Sequence, residues 1–107
     1  MARRLPPPGP RPSPQIHSLA DFGSLVRNRR LELSLRIDDA AHACGVAASV
    51  LSRLENGGAV GTDRLLLVLA GLGLTLLVPT KDEALNLTRK GLLSSSASDK
   101  KVQERDV

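Results

Sequence analysis

Gly45 places the tightest constraint on what this chain can fold into. It separates two short segments with helical apolar spacing, Leu35–Ala43 and Ala48–Glu55. Glycine takes positive φ at no steric cost, so this position can end the first helix and open a tight turn. Val46 follows it as an apolar plug from the turn into the core. In the first segment Ala40, Ala41 and Cys44 are small, which lets another helix pack close. In the second, Leu51 and Leu54 share an inward face, which turns Ala48, Ser49, Ser52 and Arg53 outward.

Helical spacing also runs ahead of this pair. Ser18 and Asp21 form a capping pair, and Leu19, Phe22, Leu25, Val26 and Leu33 predict a first helix over Leu19–Leu33. Its polar face carries Arg27, Arg29 and Arg30. Beyond the pair, Asn56-Gly57-Gly58 is a breaker cluster. Thr62 is the expected N-cap of a fourth helix, Asp63–Leu72, buried on most sides by its leucines, with Gly71 and Gly73 marking its end. The apolar run Leu74–Val78, closed by Pro79, reads as a strand. It has no partner within the chain, and its unpaired amides and carbonyls call for the same strand of a second copy. Leu74, Thr75, Leu76, Leu77 and Val78 are therefore the expected dimer seam.

The ends read differently. Residues 1–17 hold all the prolines except Pro79, with Arg3, Arg4 and Arg11 and no acid, and are expected to be a disordered basic arm. Residues 80–107 end in serines and mixed charges and are expected to be a flexible tail. The folded unit is then 18–79, roughly 60 residues, a size often marginal alone and helped by dimerisation. Its Arg27, Arg29, Arg30, Arg36, Arg53 and Arg64 are balanced by Asp21, Glu32, Asp38, Asp39, Glu55 and Asp63, so the net charge of +4 resides in the two ends.

Several classes of function find no footing. One cysteine and two distant histidines give no zinc spacing. No glycine-rich phosphate loop follows a strand, and no nucleophile–base set can be assembled. We therefore expect no enzyme, no catalytic residue, no metal and no cofactor. Cys44 reads as a small core residue and His42 as an exposed helix residue. A lone cysteine fits a reducing compartment. The run Leu65–Val78 is too short to span a bilayer, so no membrane partner is expected and the expected location is the prokaryotic cytoplasm.

Two short helices joined by a glycine turn have the geometry of a helix-turn-helix, whose second helix enters the major groove of DNA. The residues Val26-Arg27-x-x-Arg30, Ala41-x-x-x-Gly45-Val46, Leu51-Ser52-Arg53-Leu54-Glu55-Asn56-Gly57 and Leu65…Leu69-Ala70-Gly71-Leu72-Gly73-Leu74 stand in one order. That string resembles the Cro/cI-repressor (XRE) helix-turn-helix family over Leu25–Pro79. The closing Leu74-Thr75-Leu76-Leu77-Val78-Pro79 is similar to HipB-type antitoxins. The chain departs from the family at Ile37, where Gln is usual, at Arg36, where Thr or Asn is usual, and at Ala47, where Ser caps the recognition helix and where Ser49 is expected to cap instead.

The resemblance implies an all-α, phage-repressor-like domain of four to five helices, with the strand 74–78 pairing across a dimer. It implies that Ala48, Ser49, Ser52 and Arg53 meet base edges or phosphates, that Arg36 and Asn56 meet phosphates, and that Arg30 pairs with Glu55 while lying near a phosphate. The implied partners are double-stranded DNA bearing an inverted-repeat operator, a second copy of the chain, and a HipA-like kinase toxin. The implied function is a repressor that autoregulates a toxin–antitoxin operon and sits on the nucleoid when bound. Two other readings stay open: a stand-alone regulator of this class without a toxin, and an interaction module that has lost DNA binding.

Overall fold

The computed structural model describes residues 4–91. Five helices follow in order: α1, Leu19–Glu32; α2, Ile37–Cys44; α3, Ala48–Glu55; α4, Thr62–Gly71; and α5, Lys81–Arg89. No strand occurs among the described residues. Residues 4–12 and 16–76 form one compact unit, and 13–15 with 77–91 a second.

In the first unit, α1 packs on α3, α2 packs on both α3 and α4, and α3 touches α4. The core between them is built from Val26, Ala40, Ala41, Cys44, Leu51, Leu54, Val68, Leu69 and Leu72. Two helix pairs approach closely enough to require glycine. A Cβ on Gly23 would stand 2.6 Å from the carbonyl oxygens of Leu54 and Glu55, so α1 and the end of α3 meet backbone to backbone. A Cβ on Gly71 would stand 2.5 Å from the Cys44 sulfur, which fixes α4 against α2. Burial of Cys44 pushes its thiol pKa up.

One closing device ends each of the first four helices. A residue in left-handed conformation donates its N–H to one late helical carbonyl, and the next residue donates to the carbonyl before that. On α1 these bonds are Ser34 N to Leu31 O (3.0 Å) and Leu35 N to Arg30 O (3.1 Å). On α2 they are Gly45 N to His42 O (3.2 Å) and Val46 N to Ala41 O (3.0 Å). On α3 they are Gly57 N to Leu54 O (3.0 Å) and Gly58 N to Arg53 O (2.8 Å), and on α4 Gly73 N to Ala70 O (3.2 Å) and Leu74 N to Leu69 O (2.8 Å). The left-handed residues have φ of 59° at Ser34, 78° at Gly45, 82° at Gly57 and 73° at Gly73. After three of these turns the next residue is apolar, and Leu35, Val46 and Leu74 each pack back onto the core. The turn after α3 has Gly58 in that place.

The structure corrects three expectations. Helix α4 begins at Thr62 with Gly61 as its N-cap and no side-chain bond, one residue earlier than Thr62 capping would give. It buries Val68 and Leu69 on one side only and leaves Leu66 and Leu67 each 48% exposed. Ser49 does not cap α3: the N-cap is Ala47, without a side-chain bond, and Ser49 lies inside the first turn. Residues 74–78 carry no strand in the single chain; the strand expected there is one that pairs with a second copy.

In the second unit, α5 occupies part of the stretch expected to be flexible tail. Its start is specified by a reciprocal capping box, with Thr80 Oγ1 accepting from Glu83 N at 3.1 Å and Glu83 Oε1 accepting from Thr80 N at 2.9 Å. The remaining tail residues, 92–107, and Arg3 of the arm lie outside the described residues.

Ser34 is the one non-glycine residue with positive φ among those described. A side chain costs roughly 1 kcal/mol in that conformation, partly offset by the greater freedom glycine gains in the unfolded chain. Ser34→Gly should therefore raise stability by a few tenths to about 1 kcal/mol, and Gly45→Ala should lower it by about 1 kcal/mol. Urea unfolding followed by circular dichroism checks both signs.

Candidate nucleic-acid interface

The face to be tested is built by α3 and the turn before it. Gly45, at φ 78° and ψ 28°, reverses the chain, and Val46 anchors the turn so that α3 starts at Ala48. Leu51 and Leu54 are buried. Ser49 and Arg53 project outward and are exposed, while Ser52 is half-buried. Ala48 is also half-buried and packs on the core, so only part of its surface faces out. The first turn of α3 holds no acidic residue, leaving its positive dipole end uncompensated.

Arg36 is the N-cap of α2, with an exposed side chain that makes no cap bond. Ile37 packs onto the core, which accounts for an apolar residue at the start of this helix. Asn56 is the C-cap of α3, and its side-chain amide donates to Ser52 O at 2.9 Å. That bond commits the amide to ending the helix.

The arginines of α1 have three different fates. Arg27 is exposed. Arg29 donates from Nε to Leu72 O at 2.8 Å, which ties α1 to the end of α4, and from Nη1 to Glu32 at 3.3 Å. Arg30 is buried. Its Nε and Nη2 donate to the two Glu55 oxygens at 2.6 and 2.9 Å, and its Nη1 to Leu35 O at 2.9 Å. The two side chains are only 8% and 5% exposed. The fork of Arg30 thus joins α1, the turn after it and the last residue of α3 at one point.

A second carboxylate gathers donors on the far end of α1. Glu32 accepts from Arg11 Nε and Nη2, both at 3.1 Å, from Asn28 Nδ2 at 3.2 Å and from Arg29 Nη1. Arg11 above all, with a lesser contribution from Arg29, holds the Glu32 carboxyl below its ordinary pKa against the opposing effect of burial. One of the arm's arginines is thus engaged by the domain. Sequence reasoning missed this site, because nothing local marks an acid that a residue 21 positions earlier will reach.

Among the described residues Arg11, Arg29, Arg30 and Arg64 have carboxylate partners. The Arg53 side chain has no hydrogen bond or ion pair there, so its guanidinium is available on the outward face of α3. Residues 26–78 match the family model described as Helix-turn-helix. The match takes in α2, the Gly45 turn and α3, so this segment is similar to helix-turn-helix domains. No curated protein matches the chain in sequence. Among the described residues no helix is long and apolar enough to cross a membrane.

The two ion pairs differ in weight. Glu55→Gln leaves Arg30 buried and unbalanced and should cost about 3–5 kcal/mol, most of the stability of so small a domain. Arg11→Ala removes a pair whose arginine is 64% exposed and should cost under about 1 kcal/mol. The same Arg11→Ala change should move the Glu32 titration upward, read by carboxyl-carbon NMR. Because Glu32 is lowered in the fold, its contribution is full above the ordinary glutamate range and fades as pH falls through its lowered value.

Proposed function

We propose that this chain is a homodimeric, sequence-specific repressor of transcription that reads duplex DNA with α3. The observation that supports the reading best is the exposed, unpartnered guanidinium of Arg53 beside Ser49 on the outward face of the second helix of the motif. Arg can give two bonds to guanine O6 and N7, and Ser can bond any base. Arg36 would add a phosphate contact from the N-cap of α2, and Ala48 and Ser52 would lie at the edge of the contact. Arg30 and Glu55 serve as the brace that sets the angle of α3; with its fork turned onto Glu55 and Leu35, Arg30 is assigned to positioning and not to a phosphate. Asn56 is likewise assigned to ending the helix.

Dimerisation supplies the second half-site. Leu76, Leu77 and Val78 are 44%, 63% and 86% exposed, an apolar run that pairing with a second copy would cover. The similarity of residues 74–79 to HipB-type antitoxins supports a finer reading, an antitoxin that represses its own operon and holds a HipA-like kinase toxin. Co-purification with the product of the adjacent gene tests that partner.

The function is tested by selecting duplexes from a randomised library and measuring affinity across salt. Wild-type protein should select an inverted repeat. Arg53→Ala should relax the choice at one base-pair position per half-site, at about 1–3 kcal/mol. Leu77→Pro should abolish the dimer and the selection together. Equal affinity for every duplex would overturn sequence-specific readout, and no binding to any duplex would leave the interaction-module reading.

A further inference from the structure

The chain needs one glycine to close α3 and has two. Gly57 is the left-handed residue, at φ 82°. Gly58 lies outside the left-handed region, so its backbone does not require glycine. What requires it is a side chain. A Cβ on Gly58 would stand 2.6 Å from Cγ of Arg53 and 3.4 Å from its Cδ, with the Arg53 carbonyl oxygen at 3.1 Å.

Comparison with the other three turns explains the arrangement. There the residue after the left-handed one is Leu35, Val46 or Leu74, and its side chain enters the core. After α3 that side chain is missing, and the stem of Arg53 lies in the space it would fill. Arg53 and Gly58 are also joined through the backbone, by the 2.8 Å bond from Gly58 N to Arg53 O. The stem of the one exposed arginine on α3 is therefore held at its root, against the helix's own closing turn.

We propose that Gly58 is a positioning residue for base readout: its bare Cα seats the stem of Arg53 and thereby fixes where the guanidinium reaches. The inference rests on the DNA-binding reading above and adds a residue to it. A long side chain on a helix surface ordinarily samples several rotamers, and docking one against DNA costs that freedom. Seating the stem in the free protein removes part of that cost and restricts which base the fork can meet. Ala at 58 would push the stem out of its present rotamer, while the Arg53 carbonyl would have to give by only a few tenths of an ångström.

The test is a double-mutant cycle on the full chain, using a duplex selected by wild-type protein from a randomised library. Gly58→Ala should weaken binding by about two- to tenfold, the range of an off-rotamer penalty. It should also broaden selection at the base-pair position that Arg53→Ala relaxes. In the Arg53→Ala background, Gly58→Ala should change affinity by less than about twofold, since no stem remains to displace. The NMR signals of Arg53 Cγ and Nε in the free protein should shift in Gly58→Ala, while thermal unfolding stays within a few degrees of wild type. Additive losses in the cycle, or unmoved Arg53 side-chain signals, overturn the proposal. If wild-type protein selects no duplex, the DNA-binding reading falls and this proposal falls with it; selection with an additive cycle overturns this proposal alone.

Discussion

Every reversal of the chain between α1 and Leu74 depends on a residue in left-handed conformation placed just past a helix end. The helices are short, and their late carbonyls would be left without donors if the chain simply wandered off. Turning left-handed for one residue returns two amides to those carbonyls and sends the following residue back toward the core. Repeated four times, the device sets the path of the domain and brings Leu35, Val46 and Leu74 onto one core. The orientation of α3 follows from two of these turns, the one it leaves from Gly45 and the one it closes at Gly57.

The buried pair Arg30–Glu55 locks that orientation. Arg30 supplies the carbonyl that closes the turn after α1 and the guanidinium that reaches the end of α3. A buried ion pair contributes little to stability over a well-packed apolar alternative, but breaking it leaves a charge stranded. Its consequence here is geometric: α3 cannot rotate about its own axis without separating Glu55 from Arg30. The close approach at Gly23 acts in the same direction, since any larger residue would lift α1 off the last turn of α3.

Much of this was legible in the sequence, for reasons that can be stated. Helix α3 was read to its end residues because Gly45, Leu51, Leu54 and Asn56-Gly57 are each local signals. Ser18 capping α1 through Asp21 N was equally local. The exposed side of α4 was not legible, since Leu65, Leu66, Leu67 and Leu69 are alike and only packing tells inward from outward. Helix α5 is marked by the capping box of Thr80 and Glu83, but the serines and mixed charges that follow it give the whole stretch the composition of a tail. The ligation of Glu32 by Arg11 is long-range and had no sequence mark. At the candidate interface, Ser49 and Arg53 face outward as the spacing implied, Ala48 is partly drawn into the core, and Arg30 is turned inward by a partner that spacing alone does not orient. The second glycine of Gly57-Gly58 was read only as a breaker, although a single glycine would have closed the helix.

On the reading proposed above, the outward face of α3 is the surface that meets DNA. Amide NMR of the full chain, titrated with a duplex that the protein itself selects, tests this most directly. The largest shifts should fall at residues 47–53 and at Arg36, with smaller ones along 62–72. Shifts concentrated on α4, with residues 47–53 unmoved, would contradict it.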